Sequence, residues 1–268
     1  MLEVQKGLIE AENILEELGF DQLPINPFDV VDAISTPNFK VIMETHDFSS
    51  LEILGKAQGN DSAALIYINK NIPDKGRSNF TAAHEVGHVC MHIMPQKKLL
   101  FECGNNELSN SFNDPIELQA NGFASGLLMP KNLIKPLSNS DLNWVEIQKI
   151  SNACSTSLEA TFRRLLLMIK EPYALVIHQN GKFQRYVPSE NFNFYIQKYP
   201  LSSAQKDLII DVKEEAYPFD FDEVDPCEWV NPESRGYILE SIYISSILLN
   251  AGITYTLIKY DEDSVVEK

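Results

Sequence analysis

Phe80-Thr81-Ala82-Ala83-His84-Glu85-Val86-Gly87-His88 is the stretch on which the reading of this chain turns. On an α-helix, residues four apart share a face and lie about 6 Å apart along the axis, so His84 and His88 can hold one ion while Glu85 flanks its open side. Residues 78–94 contain no Pro, and Phe80, Ala83, Val86, Gly87, Cys90, Met91 and Met94 mostly fall on one face, which predicts a packed helix. Gly87 costs up to about 1 kcal/mol of helix propensity and leaves room for another backbone or a substrate. His92 continues the stripe but sits about 12 Å along the axis from His84, beyond an ion held at roughly 2 Å by each ligand. It is expected to pack, or to support the ligands from behind. The plain alternative is a helix carrying two partly exposed surface histidines.

A catalytic zinc ion takes three protein ligands and leaves its fourth position to water, so another element must supply one more donor. Glu117 is the candidate. It lies in Asp114-Pro115-Ile116-Glu117-Leu118-Gln119-Ala120-Asn121-Gly122-Phe123-Ala124. There Asp114 reads as an N-cap, Pro115 as the first helical residue, and Leu118, Phe123, Leu127 and Leu128 as a buried stripe. Two readings of Glu117 stand: an inward carboxylate that completes the site, or the second half of a capping box with Asp114. Asn121, one turn later, can orient a zinc-bound imidazole or simply pack.

These blocks resemble the ImmA/IrrE family of zinc metallo-endopeptidases: Phe80 to His88, then Glu117 to Ala124, then Leu127-Leu128-Met129-Pro130, in the same order and separation. The resemblance implies that His84, His88 and Glu117 bind one Zn2+ ion and that Glu85 is the general base. It covers about the first 170 residues, including the opening helix, the Leu54-Gly55 segment and the strand before the active helix, while the last hundred match loosely. Ala82 and Val86 depart from the family pattern without touching a presumed ligand. In such a site zinc lowers the pKa of water and polarises the scissile carbonyl, and Glu85 moves the proton to the leaving amine. No residue stands out as the oxyanion donor.

The chain has 268 residues, 44% of them hydrophobic, enough for two modest domains with cores. Its start, Met1-Leu2-Glu3-Val4-Gln5-Lys6, has no basic segment leading into an apolar core, so a cytoplasmic enzyme is expected. Tyr237 to Tyr260 is interrupted by Glu240, Asn250 and Gly252 and fails the apolar run that a membrane helix needs. Cys90, Cys103, Cys154 and Cys227 lack paired spacing and read as small buried hydrophobes or bystanders. A net charge of −16 argues against general affinity for phosphate backbones. Residues 201–268 hold 15 acidic and 5 basic side chains, densest from Asp220 through Glu228, which reads as a solvated loop or as a docking surface for a basic protein.

Val4, Leu8, Ile9, Ala11, Ile14, Leu15 and Leu18 predict a helix that stops at Gly19, and Asn26-Pro27 begins a second through about Ile34. Phe39 to Met43 and Ala64 to Asn69 read as strands, the latter as an edge able to align a substrate by strand addition. Residues 142–153 and 157–169 form two helices, with Thr156 and Glu159 as a capping box. This pair, carrying Arg163 and Arg164, looks like a helix-turn-helix, but residues 131–170 hold only six Lys and Arg against three acids, so a structural or repressor-docking role is preferred to DNA contact. Tyr173 to His178 and Lys182 to Val187 flank Asn180-Gly181 as a hairpin, with His178 at a surface strand end. Tyr237 to Ile244 and Ile253 to Tyr260 suggest another, around Asn250-Ala251-Gly252.

The expected fold is therefore α+β. Residues 1–135 form a mainly helical zincin-like metallopeptidase domain with a small sheet, 136–171 a helix-turn-helix-like segment, and 172–268 a smaller C-terminal antiparallel α+β domain, sensory or substrate-docking. The expected function is a zinc endopeptidase that cuts a protein substrate, by the resemblance a helix-turn-helix transcriptional repressor whose loss derepresses genes of a mobile element or stress response. The alternative is an antirepressor that binds its partner without proteolysis around a structural zinc site.

Overall fold

The computed structural model describes residues 2–96, 99–104, 114–138, 141–211 and 220–268. Its contacts divide the chain into an N-terminal unit, Met1–Ser138 with Lys149–Thr161, and a C-terminal unit, Asn139–Gln148 with Phe162–Lys268.

In the N-terminal unit, helix α1 (Leu2–Leu18) buries Leu8, Ala11 and Leu15, the stripe that its apolar spacing marks out. It ends at Gly19, whose φ of 76° suits a residue without Cβ. Asn26 caps α2 (Pro27–Ile34) by accepting from the Phe28 N–H at 3.2 Å. Strands β1 (Lys40–His46), β2 (Ile53–Gly59) and β3 (Ala63–Asn69) lead to α3 (Lys75–His88), which continues into one π turn over Val89–Ile93. Strand β4 (Leu100–Gly104), helix α4 (Pro115–Leu128) and the one-turn α5 (Lys131–Ile134) follow.

The sheet order is β1-β3-β2-β4, with β1 parallel to β3 and the other pairs antiparallel. Ala64, Ile66 and Ile68 alternate along β3 and are each 1% exposed, and α3 packs on β2 and β3. The edge position expected of Ala64 to Asn69 is not found. A parallel partner, β1, fills the side that adjacent hairpin pairing leaves open, so β3 is interior and the sheet ends at β1 and β4. Helices α1 and α4 cross at close range, where a Cβ at Gly7 would strike the Gln119 carbonyl and one at Gly122 the Val4 carbonyl.

Helices α6 (Trp144–Cys154) and α7 (Leu158–Leu166) match the predicted pair, and each is divided between the two units. The cap of α7 differs from expectation. Ser157 Oγ accepts from the Ala160 N–H at 3.1 Å, whereas the Thr156 hydroxyl pairs with that of Thr161 at 2.8 Å, because the helix begins one residue later than the sequence pattern implies.

The C-terminal unit comprises β5 (Tyr173–Gln179), β6 (Lys182–Pro188), β7 (Tyr195–Ile196), α8 (Ser203–Asp211), β8 (Asp222–Val224), β9 (Val230–Asn231), β10 (Glu233–Ser234), β11 (Tyr237–Leu239), β12 (Ile242–Leu248), β13 (Ile253–Lys259) and β14 (Val265–Glu267). Its main sheet is antiparallel in the order β6-β5-β13-β12-β8. Asn180 and Gly181 turn the first hairpin with φ of 51° and 74°, as their sequence signal requires. The apolar cluster includes Ala174, Val176, Phe192, Trp229, Ile242 and Ile258. Trp144 joins this unit by donating its Nε1–H to the Ser245 carbonyl at 2.9 Å.

Three expectations change here. Tyr237 to Ile244 is not one strand, since β11 pairs with β10 and β14 while β12 starts at Ile242 and turns through Asn250-Ala251-Gly252 into β13. The acidic run contains β8, paired to β12 with Asp222 and Glu223 exposed, rather than loop alone. His178 is 2% exposed, because β5 lies between β6 and β13 and is buried along its length. Among the described residues no helix is long and apolar enough to cross a membrane.

Candidate metal centre

Two helices build the site. Asp74 caps α3, accepting from the Arg77 N–H at 2.7 Å, and Thr81 through His88 form an unbroken buried run on it. Asp114 caps α4, accepting from the Ile116 N–H at 2.9 Å with Pro115 as its first residue, which places Glu117 in the first turn. The helices close on each other at Gly87, where a Cβ would lie 2.9 Å from Phe123 Cβ. The Gly87 position thus serves helix packing. On the neighbouring strand, a Cβ at Gly55 would lie 2.6 Å from Glu85 Oε1, so β2 passes directly beside the Glu85 carboxylate.

His84 Nε2 and His88 Nε2 are 3.0 Å apart. Glu117 Oε2 lies 3.2 Å from His84 Nε2, and Glu117 Oε1 lies 3.4 Å from His88 Nε2. Bonds of roughly 2.0–2.2 Å at tetrahedral angles put ligand atoms about 3.3 Å apart, and the three separations bracket that value. The donor set of two imidazole nitrogens and one carboxylate oxygen therefore fits a divalent ion, and among the described residues it is the cluster of at least three His, Cys, Asp or Glu able to hold one. Glu117 does not turn back to its own helix end. Its carboxylate faces the two histidines, against the capping-box alternative.

The protonation states suit a cation. Burial pushes the His88 imidazole down to about 3 from its ordinary 6.5, the opposing pull of Glu117 being smaller, so the ring is neutral at pH 7. Burial works against ionisation of Glu117, but hydrogen bonding with His84 and then His88 outweighs it and holds the carboxyl below its usual range. Asn121 Oδ1 lies 3.0 Å from His84 Nδ1 and can accept its proton, leaving His84 Nε2 as a lone pair toward the centre. Phe101 of β4 stacks on the His88 ring at a centroid distance of 4.0 Å and 15°, fixing the plane of that ring. Nothing in the sequence pattern singles out Phe101, whose role comes from sheet register. Glu85 is fully buried one position after His84.

The remaining candidates stand apart from this cluster. Cys90 and Cys154 are buried, and burial pushes each thiol up to about 12, while Cys227 is exposed. Of the two arginines on the helix pair, Arg164 is only 4% exposed and is no phosphate-facing group, while Arg163 is exposed. His178 belongs to the C-terminal unit, where its Nε2–H donates to the Tyr199 carbonyl at 3.2 Å.

Comparison with known proteins agrees with this geometry. Residues 43–166, which contain His84, Glu85, His88 and Glu117, match the family Peptidase_M78, described as the IrrE N-terminal-like domain. The match begins in β1, so α1 lies outside it. No curated protein matches the sequence at a significant level. Among solved structures, a Mycobacterium tuberculosis transcriptional regulator aligns over 95% of this chain and 76% of its own, with a TM-score of 0.54 and 12% identity, a likeness of fold.

Proposed function

Given that residues 43–166 belong to the IrrE N-terminal-like domain family, Peptidase_M78, we propose that this chain is a zinc-dependent endopeptidase acting on a protein substrate. The observation that carries the reading is the convergence of His84 Nε2, His88 Nε2 and a Glu117 oxygen at 3.0 to 3.4 Å beside a buried Glu85. His84, His88 and Glu117 hold the ion; the two-nitrogen, one-oxygen donor set favours zinc. When bound, the ion polarises the scissile carbonyl and makes water more acidic. Glu85 then accepts the proton of the attacking water and delivers it to the leaving amine. Burial of Glu85 beside β2 keeps bulk water from competing for that proton.

The likeness of fold to a transcriptional regulator supports a substrate engaged in gene regulation. We take it to be a DNA-binding repressor of the helix-turn-helix type, cut in the cytoplasm so that repressed genes are expressed. In this scheme residues 1–135 carry the chemistry, 136–171 the helix pair, and 172–268 a sensory or docking domain. Strand β4, which ends the sheet and brings Phe101 to His88, is the better candidate for aligning an extended substrate than the interior β3.

The test pairs two variants with candidate repressors. Glu85→Gln should retain its zinc by elemental analysis and lose about 10²–10⁴-fold in cleavage rate, whereas Glu117→Ala should lose both zinc and cleavage. Undiminished cleavage by Glu85→Gln refutes the base assignment. Stable complex formation by the parent protein without cleavage favours the antirepressor instead.

A further inference from the structure

We infer that Glu3, Gln119 and His92 form a hydrogen-bonded relay that selects the tautomer of His88 and so aims its Nε2 lone pair at the metal position. The inference deepens the metal-site reading above and rests on it for its functional meaning. Its direction can be derived from one end. Glu3 accepts from Lys6 Nζ at 2.7 Å, and the hydrogen bonds from Lys6 and then Gln119 hold its carboxyl below the usual range, so it is an acceptor only. The Gln119 amide therefore turns its Nε2–H to Glu3 Oε2, which leaves Gln119 Oε1 facing His92 Nε2 at 3.0 Å.

An amide oxygen cannot donate, so His92 carries its proton on Nε2 and presents a bare Nδ1. His88 Nδ1 lies 3.2 Å from that atom and must be the donor. A neutral histidine has one N–H, so the His88 Nε2 facing His84 and Glu117 is left as a lone pair. His84 reaches the same state in one step through Asn121; His88 needs three residues.

The fold supplies the means. The π turn over Val89–Ile93, closed by the Met94 N–H to Val89 carbonyl bond of 2.9 Å, carries His92, which is 1% exposed, to the back of His88. The glycine crossing of α1 and α4 brings Glu3 to Gln119 across 116 positions of sequence. The first turn of α1 thereby belongs to the metal centre although it lies outside the matched residues 43–166.

The experiment uses the full chain in two measurements. In chelator-treated protein, long-range ¹⁵N–¹H correlation spectra should show His88 as the Nδ1–H tautomer and His92 as the Nε2–H tautomer. Zinc affinity by chelator competition should fall about 10- to 100-fold in His92→Phe, and in the same direction but less in Glu3→Leu. Glu3→Gln, which keeps an acceptor for Gln119, should restore the parent affinity. Because Glu3 lies at the partly exposed end of the relay, its variants keep the helix packing even where His92→Phe does not. Parent-like zinc affinity in Glu3→Leu and His92→Phe, or an Nε2–H tautomer at His88, overturns the relay. A parent protein that binds no zinc yet shows the stated tautomers overturns the metal reading and leaves the relay standing.

Discussion

The N-terminal unit buries His84, Glu85, His88 and His92 side by side, whereas the C-terminal unit buries His178 among rings. Phe183 and Trp229 stand edge-on to His178 at centroid distances of 6.0 and 6.2 Å, and its ring is tied down by one bond to the Tyr199 carbonyl. Burying several polar groups is costly unless they satisfy one another or a cation. A cluster that tolerates this cost is organised around chemistry, while a single buried histidine in an apolar shell is organised around packing. The contrast explains why, among the described residues, a cluster of candidate metal donors is found in one unit, and why a histidine near a turn need not belong to any site.

Acid and metal removal should separate the two units most. Folded His88 protonates only near 3 while the unfolded chain takes up its proton near 6.5, so metal-free protein loses stability as the pH falls from about 6.5 toward 3. His178 is shifted in the same direction by burial, with the Tyr199 bond opposing. Both tryptophans, Trp144 and Trp229, lie in the C-terminal unit, so their emission follows that unit while far-UV dichroism is weighted to the helices of the other. Saturating zinc at about 100 times its dissociation constant should stabilise the helical signal by about 2.7 kcal/mol and the tryptophan signal by less. Equal shifts in both would mean that the units unfold together and would break the contrast.

Gly7→Ala should act next in size. A methyl group there strikes the Gln119 carbonyl, forcing α1 from α4 at a cost of about 1–3 kcal/mol, read as a lower denaturation midpoint and weaker zinc binding together. A stability loss with unchanged zinc affinity would limit α1 to packing. His178→Phe should have the smallest effect. It gives up the Tyr199 bond but also removes a buried Nδ1 that has no partner among the described residues, so stability should stay within about 1 kcal/mol with zinc content unchanged. Loss of zinc from this variant would contradict the assignment of His178 to packing.

Much of the site was legible because it is local. The four-residue spacing of His84 and His88, the capping of α4 by Asp114 and Pro115, and the Asn180-Gly181 turn each depend on neighbours within one turn of chain. Glu117 was legible only as two alternatives, since capping and metal ligation ask for the same residue at the same position. Where pairing partners are distant, reading failed: β3 looked like an edge until β1 took its open side, and Tyr237 to Ile244 looked like one strand although its two ends join different sheets.

Helical periodicity by itself determined which side chains share a face, and with them the identity of two candidate ligands and the carboxylate beside them, because those relations are fixed by the 3.6-residue turn. Only the tertiary structure decided that Glu117 faces the histidines, that Phe101 stacks on His88, and that Glu3 reaches Gln119. Each of these rests on segments far apart in sequence meeting at a helix crossing or a sheet register, and no local pattern encodes such a meeting.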